Sequence, residues 1–177
     1  WKAYTFMQLT DCYGDVPYFE AGKSYLEGIV NPVYDAQEAI YTDLLKEFEE
    51  ASAALDATKP RVTTDVLYGG DITRWKRLGY SLLLRAGMRL SKVNPTKAAE
   101  VVAKAVAGGV MQSNDDNAIL RHTAIFQNPV GSQLNGGQAD FFYMAEDFIT
   151  YLKTNNDPRL ASIAVRYVGA RNSVEQR

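Results

Sequence analysis

The stretch Gly70–Val110, GDITRWKRLGYSLLLRAGMRLSKVNPTKAAEVVAKAVAGGV, decides the fold. Trp75, Leu78, Leu82, Ala86 and Leu90 recur three or four residues apart, which draws one apolar face on a helical period. Asp71 or Thr73 supplies the start, because a short polar side chain there accepts from the first free backbone N–H groups. Asn94-Pro95 ends this helix and opens the next, since Asn caps well and Pro suits a first helical position. The second helix, rich in Ala and Val from Lys97 to Ala107, closes on Gly108-Gly109, a C-terminal signal. Two helices joined by so short a turn form an antiparallel hairpin of about the length of a tetratricopeptide unit. The consensus letters of that unit are absent, and there is no self-similarity at a period of about 34 residues. The hairpin reading therefore rests on helix length and on the brevity of the link.

Upstream, Asp35-Ala36-Gln37-Glu38 reads as a capping box, Asp35 accepting from the backbone and Glu38 reaching back. Ile40, Leu44, Phe48, Ala51 and Leu55 then mark an apolar stripe, with Glu38, Asp43, Lys46, Glu49 and Glu50 covering the other faces. This helix ends before Lys59-Pro60, and a polar link, 61–70, leads into the hairpin. Downstream the character changes. Residues 112–140 are rich in Asn, Gln, Gly and Asp with few periodic apolars, the pattern of a long loop. A last helix is expected over about Ala145–Thr154, stopped by Asn155-Asn156-Asp157-Pro158. The fold class that follows is all-α, tetratricopeptide-like helical hairpins with long irregular loops, in one domain over residues 1–177.

Composition bounds the function. The 177 residues are 46% hydrophobic and 23% charged, with 19 Lys and Arg against 21 Asp and Glu for a net charge of −2. So even a balance leaves no basic footprint for nucleic acid and no polybasic patch for an anionic membrane. No apolar run approaches the roughly 20 residues that a spanning helix needs. Trp1 opens the chain within what reads as a running helix, without an initiator Met or a leader, so an internal piece of a longer protein is expected. Cys12 is the only cysteine, which excludes an internal disulfide, a cysteine-only metal cluster and a CxxC redox pair.

The chemistry-bearing motifs are few. His122 is the only histidine, and no GxSxG nucleophile motif accompanies it. One histidine builds no multi-histidine metal site. Asp115-Asp116-Asn117 offers oxygen ligands but lacks the alternating order and distant Glu of a calcium loop. Gly69-Gly70 and Gly136-Gly137 lack the following Lys and Ser/Thr of a phosphate loop. Trp75 and Tyr80 fall on the helical period and read as core. No metal or cofactor is expected.

The amide-rich loop is different. Phe126, Phe141, Phe142 and Tyr143 flank Gln127, Asn128, Ser132, Gln133, Asn135, Gln138 and Asp140, so flat apolar faces are interleaved with planar amides. That mixture suits neutral polyhydroxylated ligands, whose C–H faces stack on rings while amides exchange hydrogen bonds with hydroxyls. The alternative is that the aromatics plug the loop onto the helices. The candidate ligand-binding set is Phe126, Asn128, Gln133, Asn135, Gln138, Phe141, Phe142 and Tyr143.

Five quoted segments carry a family resemblance. They are YGDVPY from Tyr13 with FEAG after it, NPVYDAQEAIYTDLLKEFEEASAAL from Asn31, GDITRWKRLGYSLLLRAGMRLS from Gly70, NPTKAAEVVAKAVAGGVM from Asn94, and YLKTNNDPRLA from Tyr151. In this order they resemble the SusD/RagB family of outer-membrane nutrient-binding lipoproteins. The resemblance implies a helical scaffold of tetratricopeptide-like hairpins and a longer parent chain, with the lipidated N-terminal segment and the C-terminal part outside residues 1–177. Cys12, after Leu9-Thr10-Asp11, does not resemble a lipidation site. It further implies a cell-surface protein that captures oligosaccharides and passes them to a SusC-like TonB-dependent transporter, without catalysis, held at the outer membrane only by a lipid anchor beyond this chain. The family's ligand region would correspond to residues 123–143, and the want of Trp there argues against a starch-like ligand. Two alternatives are a peptide-binding member of the family and a tetratricopeptide-like protein–protein interaction scaffold.

Overall fold

The computed structural model describes residues 1–135 and 144–164, with the backbone alone at 133–135. Packing divides the chain into two compact units, Trp1–Arg121 and a second that begins at His122.

In the first unit the sequence period becomes four helices: α1 (Lys2–Tyr13), α3 (Gln37–Ala54), α4 (Ile72–Arg89) and α5 (Pro95–Gly108), with the single-turn α2 (Ser24–Glu27) in the α1–α3 connection. Helix α4 lies in the middle, against α3 on one side and α5 on the other, while α1 packs on α3. Met7, Ile40, Leu44, Ala86 and Ala105 are wholly buried, and Leu83 nearly so, in one continuous core. A fully buried Leu or Ile contributes about 1.5 to 3 kcal/mol relative to exposure, so these few side chains hold the four helices together. There is no strand among the described residues, where the one sheet-like contact is an isolated antiparallel bridge between Val16 and Asp35.

The α4–α5 hairpin forms as the sequence dictates. Asp71 caps α4 by accepting from Thr73 and Arg74 N–H. Asn94 caps α5 from Lys97 N–H at 3.0 Å, with Pro95 in the first turn. Gly109 ends α5 at a positive φ of 94°, which favours glycine.

Three expectations are corrected. The capping box at Asp35 does not form, because α3 begins at Gln37 and its first N–H is met from elsewhere: Asp15 Oδ1 accepts from Gln37 N at 2.9 Å. Asp35 instead accepts from Tyr18 and Phe19 N–H at 2.8 and 2.9 Å. A carboxylate beside a free loop N–H competes equally well for either role, and the loop that crosses in front of α3 takes it. The second correction is the face of α3, which buries Ser52 and leaves Ala51 exposed. Its last turn leans on α4 at Gly79, where any Cβ would collide with Ser52 Oγ. The buried hydroxyl donates to Phe48 O at 2.6 Å, so its burial leaves no unmet donor. Gly87 plays the same part toward α5, since a Cβ there would lie 2.7 Å from Val101 Cγ1. Contact on both sides also moves the most buried positions of α4 to Leu83, Ala86 and Gly87.

The third correction concerns the amide-rich stretch, which is not irregular throughout. Asn114–Asp116 form a 3₁₀ turn, and the second unit carries a helix, α6 (Pro129–Asn135), followed by α7 (Glu146–Thr154) and the single-turn α8 (Leu160–Ile163). Asn128 Oδ1 accepts from Val130 and Gly131 N–H at 3.0 and 3.2 Å, which starts α6 as Asn94-Pro95 starts α5. No helix among the described residues is long and apolar enough to cross a membrane.

Candidate functional site

The described part of the expected ligand loop is a tight turn followed by a helix. Thr123 N–H donates to Phe126 O at 2.9 Å and Phe126 N–H to Thr123 Oγ1 at 3.0 Å, closing residues 123–126 into a turn. The turn brings His122 and Phe126 together as stacked rings, 5.3 Å between centroids and 20° between planes, with Phe126 still 57% exposed. His122 thus sits on an exposed ring rather than beside a nucleophile. Gln127 Nε2 donates to Ala124 O at 3.2 Å, and the Asn128 side-chain oxygen is engaged as the α6 cap. Its Nδ2 and the Gln127 Oε1 make no hydrogen bond to any described residue. Gln133 and Asn135 lie on α6. Gln138, Phe141, Phe142 and Tyr143 lie outside the described residues.

The other motifs resolve into structure. Asp116 is buried, and its carboxylate accepts from Gln112 N–H at 2.7 Å and from Arg77 Nη1 at 2.7 Å. The Gln112 N–H and then the Arg77 guanidinium hold its pKa below the usual carboxylate range. Of the oxygen-rich triplet, the Asp116 carboxylate is therefore committed to Arg77 and to a capping box with Ser113. Trp75 donates from Nε1 to Asp65 Oδ2 at 2.7 Å and meets Trp1 and Tyr68 edge-on at 6.0 and 5.5 Å. Asp65 also accepts from Leu67, Tyr68 and Gly70 N–H. Desolvation pushes its pKa upward, but the indole and the three amides outweigh it and hold the carboxyl low. An apolar pocket of about 210 Å³ opens beside Trp1, Phe48 and Trp75.

A second feature of the first unit escaped the sequence reading. A cleft of about 570 Å³ lies where α1, the start of α3 and the α4–α5 turn meet, with Asp11, Tyr41 and Arg89 in its wall. Tyr41 hydroxyl donates to Asp11 Oδ1, and Arg89 Nε lies 3.1 Å from Asp11 Oδ2. Burial first, and the hydrogen bond to Asp11 second, push the Tyr41 phenol well above its ordinary pKa, so it stays protonated and donating. These three residues are far apart in sequence and obey no motif. Only the packing of α1 and α4 around α3 assembles them, and the one local hint is Tyr41, which adjoins the apolar stripe at Ile40.

Comparisons place this arrangement among known proteins. The family model described as starch-binding, associating with the outer membrane, matches residues 1–176. A solved chitin-binding protein superposes with a TM-score of 0.82 at 36% identity, over 96% of this chain and 36% of that one. A SusD homologue from Bacteroides uniformis gives 0.79 at 30% identity, over 96% and 37%. A chitin-binding SusD homologue from Flavobacterium johnsoniae gives 0.78 at 29% identity, over 93% and 36%. The comparison with curated proteins finds no match. The chain spans little more than a third of the length of these solved relatives.

Proposed function

We propose a glycan-binding role on one premise: the chain belongs to the SusD-like family, whose model matches residues 1–176. The observation that carries the role is the likeness to two solved relatives named for chitin binding, each aligned over more than nine-tenths of this chain. The chain is part of a binding protein, not an enzyme, and the only histidine, His122, is stacked on Phe126 rather than set beside a nucleophile. The parent protein is held at the outer-membrane surface by a lipid anchor and passes captured oligosaccharide to a SusC-like TonB-dependent transporter. The family description, which names the outer membrane, supports the location, while the anchor and the transporter rest on the resemblance of the sequence to the SusD/RagB family.

Among glycans, chitin oligosaccharides suit the described loop better than starch. An acetamido group accepts at its carbonyl and donates from its N–H, and Asn128 keeps its Nδ2 as a donor and Gln127 its Oε1 as an acceptor, while Phe126 offers an exposed ring. A wide stacking platform for a glucan helix would want larger rings. Isothermal titration of the chain with chitohexaose and maltohexaose tests this. Saturable binding that favours chitohexaose, with no shortened product after incubation, is expected. No binding of either oligosaccharide, or release of shorter products, would overturn the reading.

A further inference from the structure

We propose that the cleft formed by α1, α3 and the α4–α5 turn takes an amino sugar, holding the ammonium group of a glucosamine residue on the carboxylates of Glu38 and Asp11. The choice of a sugar rests on the glycan-binding reading above, while the cleft itself lies wholly within the first unit and shares no residue with the loop at 122–128.

The cleft is short of donors. Asp11 stands in its wall with its side chain only 11% exposed, and one carboxylate oxygen, Oδ1, takes the Tyr41 hydroxyl. The other, Oδ2, is buried and accepts no hydrogen bond. Arg89 Nε lies 3.1 Å from it but out of line for donation, so the guanidinium supplies charge and not the missing bond. A buried acceptor in that state is rare in a native fold and calls for a further partner. At the mouth Glu38 is exposed, and its carboxylate makes no hydrogen bond or ion pair to any described residue. Gln37 gives its Nε2 to Thr10 O and keeps its Oε1 as another open acceptor. The open neutral donor is Asn94 Nδ2, because Asn94 Oδ1 is engaged as the α5 cap. A cleft of about 570 Å³ has the size of small-molecule sites, which run from roughly 300 to 1,000 Å³.

Hydrogen-bond complementarity then chooses the ligand. Lys97 is bound to Glu100 at 3.0 Å, which leaves Arg89 as the cation that a ligand has to displace. Its side chain is 45% exposed and its guanidinium makes no hydrogen bond to any described residue, so it is free to turn to water. A guanidinium donates only within its plane, whereas an ammonium is a compact charge whose three donors rotate to meet Oδ2. An anion in the same place faces two carboxylates. The rest of the ligand must both donate and accept. Pyranose hydroxyls donate to Gln37 Oε1 and accept from Asn94 Nδ2, while the C–H face of the ring rests on Leu90 and Val93 in the wall. A peptide amine brings the ammonium but only one further N–H per residue. The rim therefore selects the amino sugar.

Titration of the chain with fully deacetylated chitobiose, followed through the side-chain amide NMR signals of Gln37 and Asn94, tests the proposal. Cellobiose serves as the neutral disaccharide, with a hydroxyl in place of each ammonium, and alanyl-alaninamide as the peptide amine. Saturable binding of deacetylated chitobiose with shifts at both amides is expected, and cellobiose should bind this cleft roughly tenfold more weakly, the loss of a charge-assisted hydrogen bond. Glu38 is exposed, so Glu38→Gln leaves the core alone. It should weaken deacetylated chitobiose about fivefold without moving the melting temperature. Arg89→Gln removes the competing cation and should strengthen binding about threefold, while the melting temperature falls because Asp11 loses its counter-charge. Equal binding of cellobiose, tighter binding of alanyl-alaninamide, no effect of Glu38→Gln, or weaker binding in Arg89→Gln would overturn the proposal. Chitohexaose, titrated on the same variants, reports separately on the loop and should be unchanged. A chain that binds deacetylated chitobiose but no chitohexaose would sink the loop reading and leave the cleft standing.

Discussion

Arg77 on α4 donates from Nη1 to Oδ1 of Asp116, 39 residues later, at 2.7 Å, and so fastens the 3₁₀ turn to the middle helix. Tyr68 hydroxyl reaches the backbone oxygen of the same aspartate at 2.8 Å. The link before α4 and the segment after α5 thereby meet on one residue. The carboxyl pKa is depressed below the ordinary 3.8 by Gln112 N–H first and Arg77 next. A depressed carboxyl stabilises the fold above its unfolded value, and that contribution disappears as pH falls through the folded value.

Replacing Asp116→Asn should thus lower the melting temperature at pH 7 and flatten its further fall below about pH 4, where the parent loses this contribution. Thermal melts between pH 2.5 and 7 check both halves. A variant whose acid limb parallels that of the parent would remove Asp116 from the account. Tyr68→Phe, which deletes only the hydroxyl bond, should cost about 0.5 to 1.5 kcal/mol at neutral pH.

The close approaches of α4 give a sharper expectation. Gly79 faces Ser52 and Gly87 faces Val101 so nearly that a Cβ must push its neighbour aside. Ala is the better helix former by roughly 1 kcal/mol, which favours the substitution in isolation. Overpacking costs about 1 to 3 kcal/mol and should win. Gly79→Ala and Gly87→Ala are both expected to be destabilised in urea, and a stabilised variant at either site would show that the helices can part cheaply.

Much of this scaffold is legible from the residues alone, and the reasons are local. Asn94-Pro95, Asp71 and Gly109 act within three or four positions of themselves, so their roles follow from sequence. Asp35 misleads because its carboxylate had two suitors, and the nearer one in space is a loop 16 or 17 residues upstream. The helix behind Asn128 was hidden because Pro129–Asn135 is short and carries no apolar period. Gly79 and Gly87 look like weak points in a helix until their neighbours are known. The Tyr41–Asp11–Arg89 chain joins three helices, and no spacing rule reaches across them.

The start of α3 can be separated into two carboxylates. Asp15 meets the first helical N–H, whereas Asp35 meets two N–H groups of the crossing loop. Loss of a cap costs roughly 0.5 to 2 kcal/mol, and Asp15→Ala should fall in that range. Asp35→Ala frees two loop donors and should cost more. Chemical denaturation orders the two variants, and a larger loss at Asp15 would contradict this division of labour.

Trp75 is expected to be a structural residue. Its Nε1 bond to Asp65 at 2.7 Å closes a loop knot, and its ring touches Trp1 and Tyr68. Trp75→Phe keeps a ring and removes the donor, so it isolates a hydrogen bond to a charged group, about 1.5 to 3 kcal/mol. The melting temperature should fall while chitohexaose affinity holds. The opposite pattern would move Trp75 and the apolar pocket beside it into the binding site.

Phe126 should behave in the reverse way. It is 57% exposed, and its contacts are the stacked ring of His122 and the backbone of its own turn. Truncation removes little buried area, so Phe126→Ala should leave the unfolding free energy within about 0.5 kcal/mol of the parent, as for surface positions generally. A stacking ring contributes about 0.5 to 1.5 kcal/mol beyond its area, which corresponds to a loss of roughly two- to tenfold in affinity. Phe126→Tyr keeps the face and should keep the affinity. His122→Ala uncovers the second face of the ring and frees it to turn, so it should weaken binding less than Phe126→Ala does. Calorimetric titration with chitohexaose across the three variants measures the order. If all three bind as the parent does, the exposed ring serves no ligand and the site belongs to other residues.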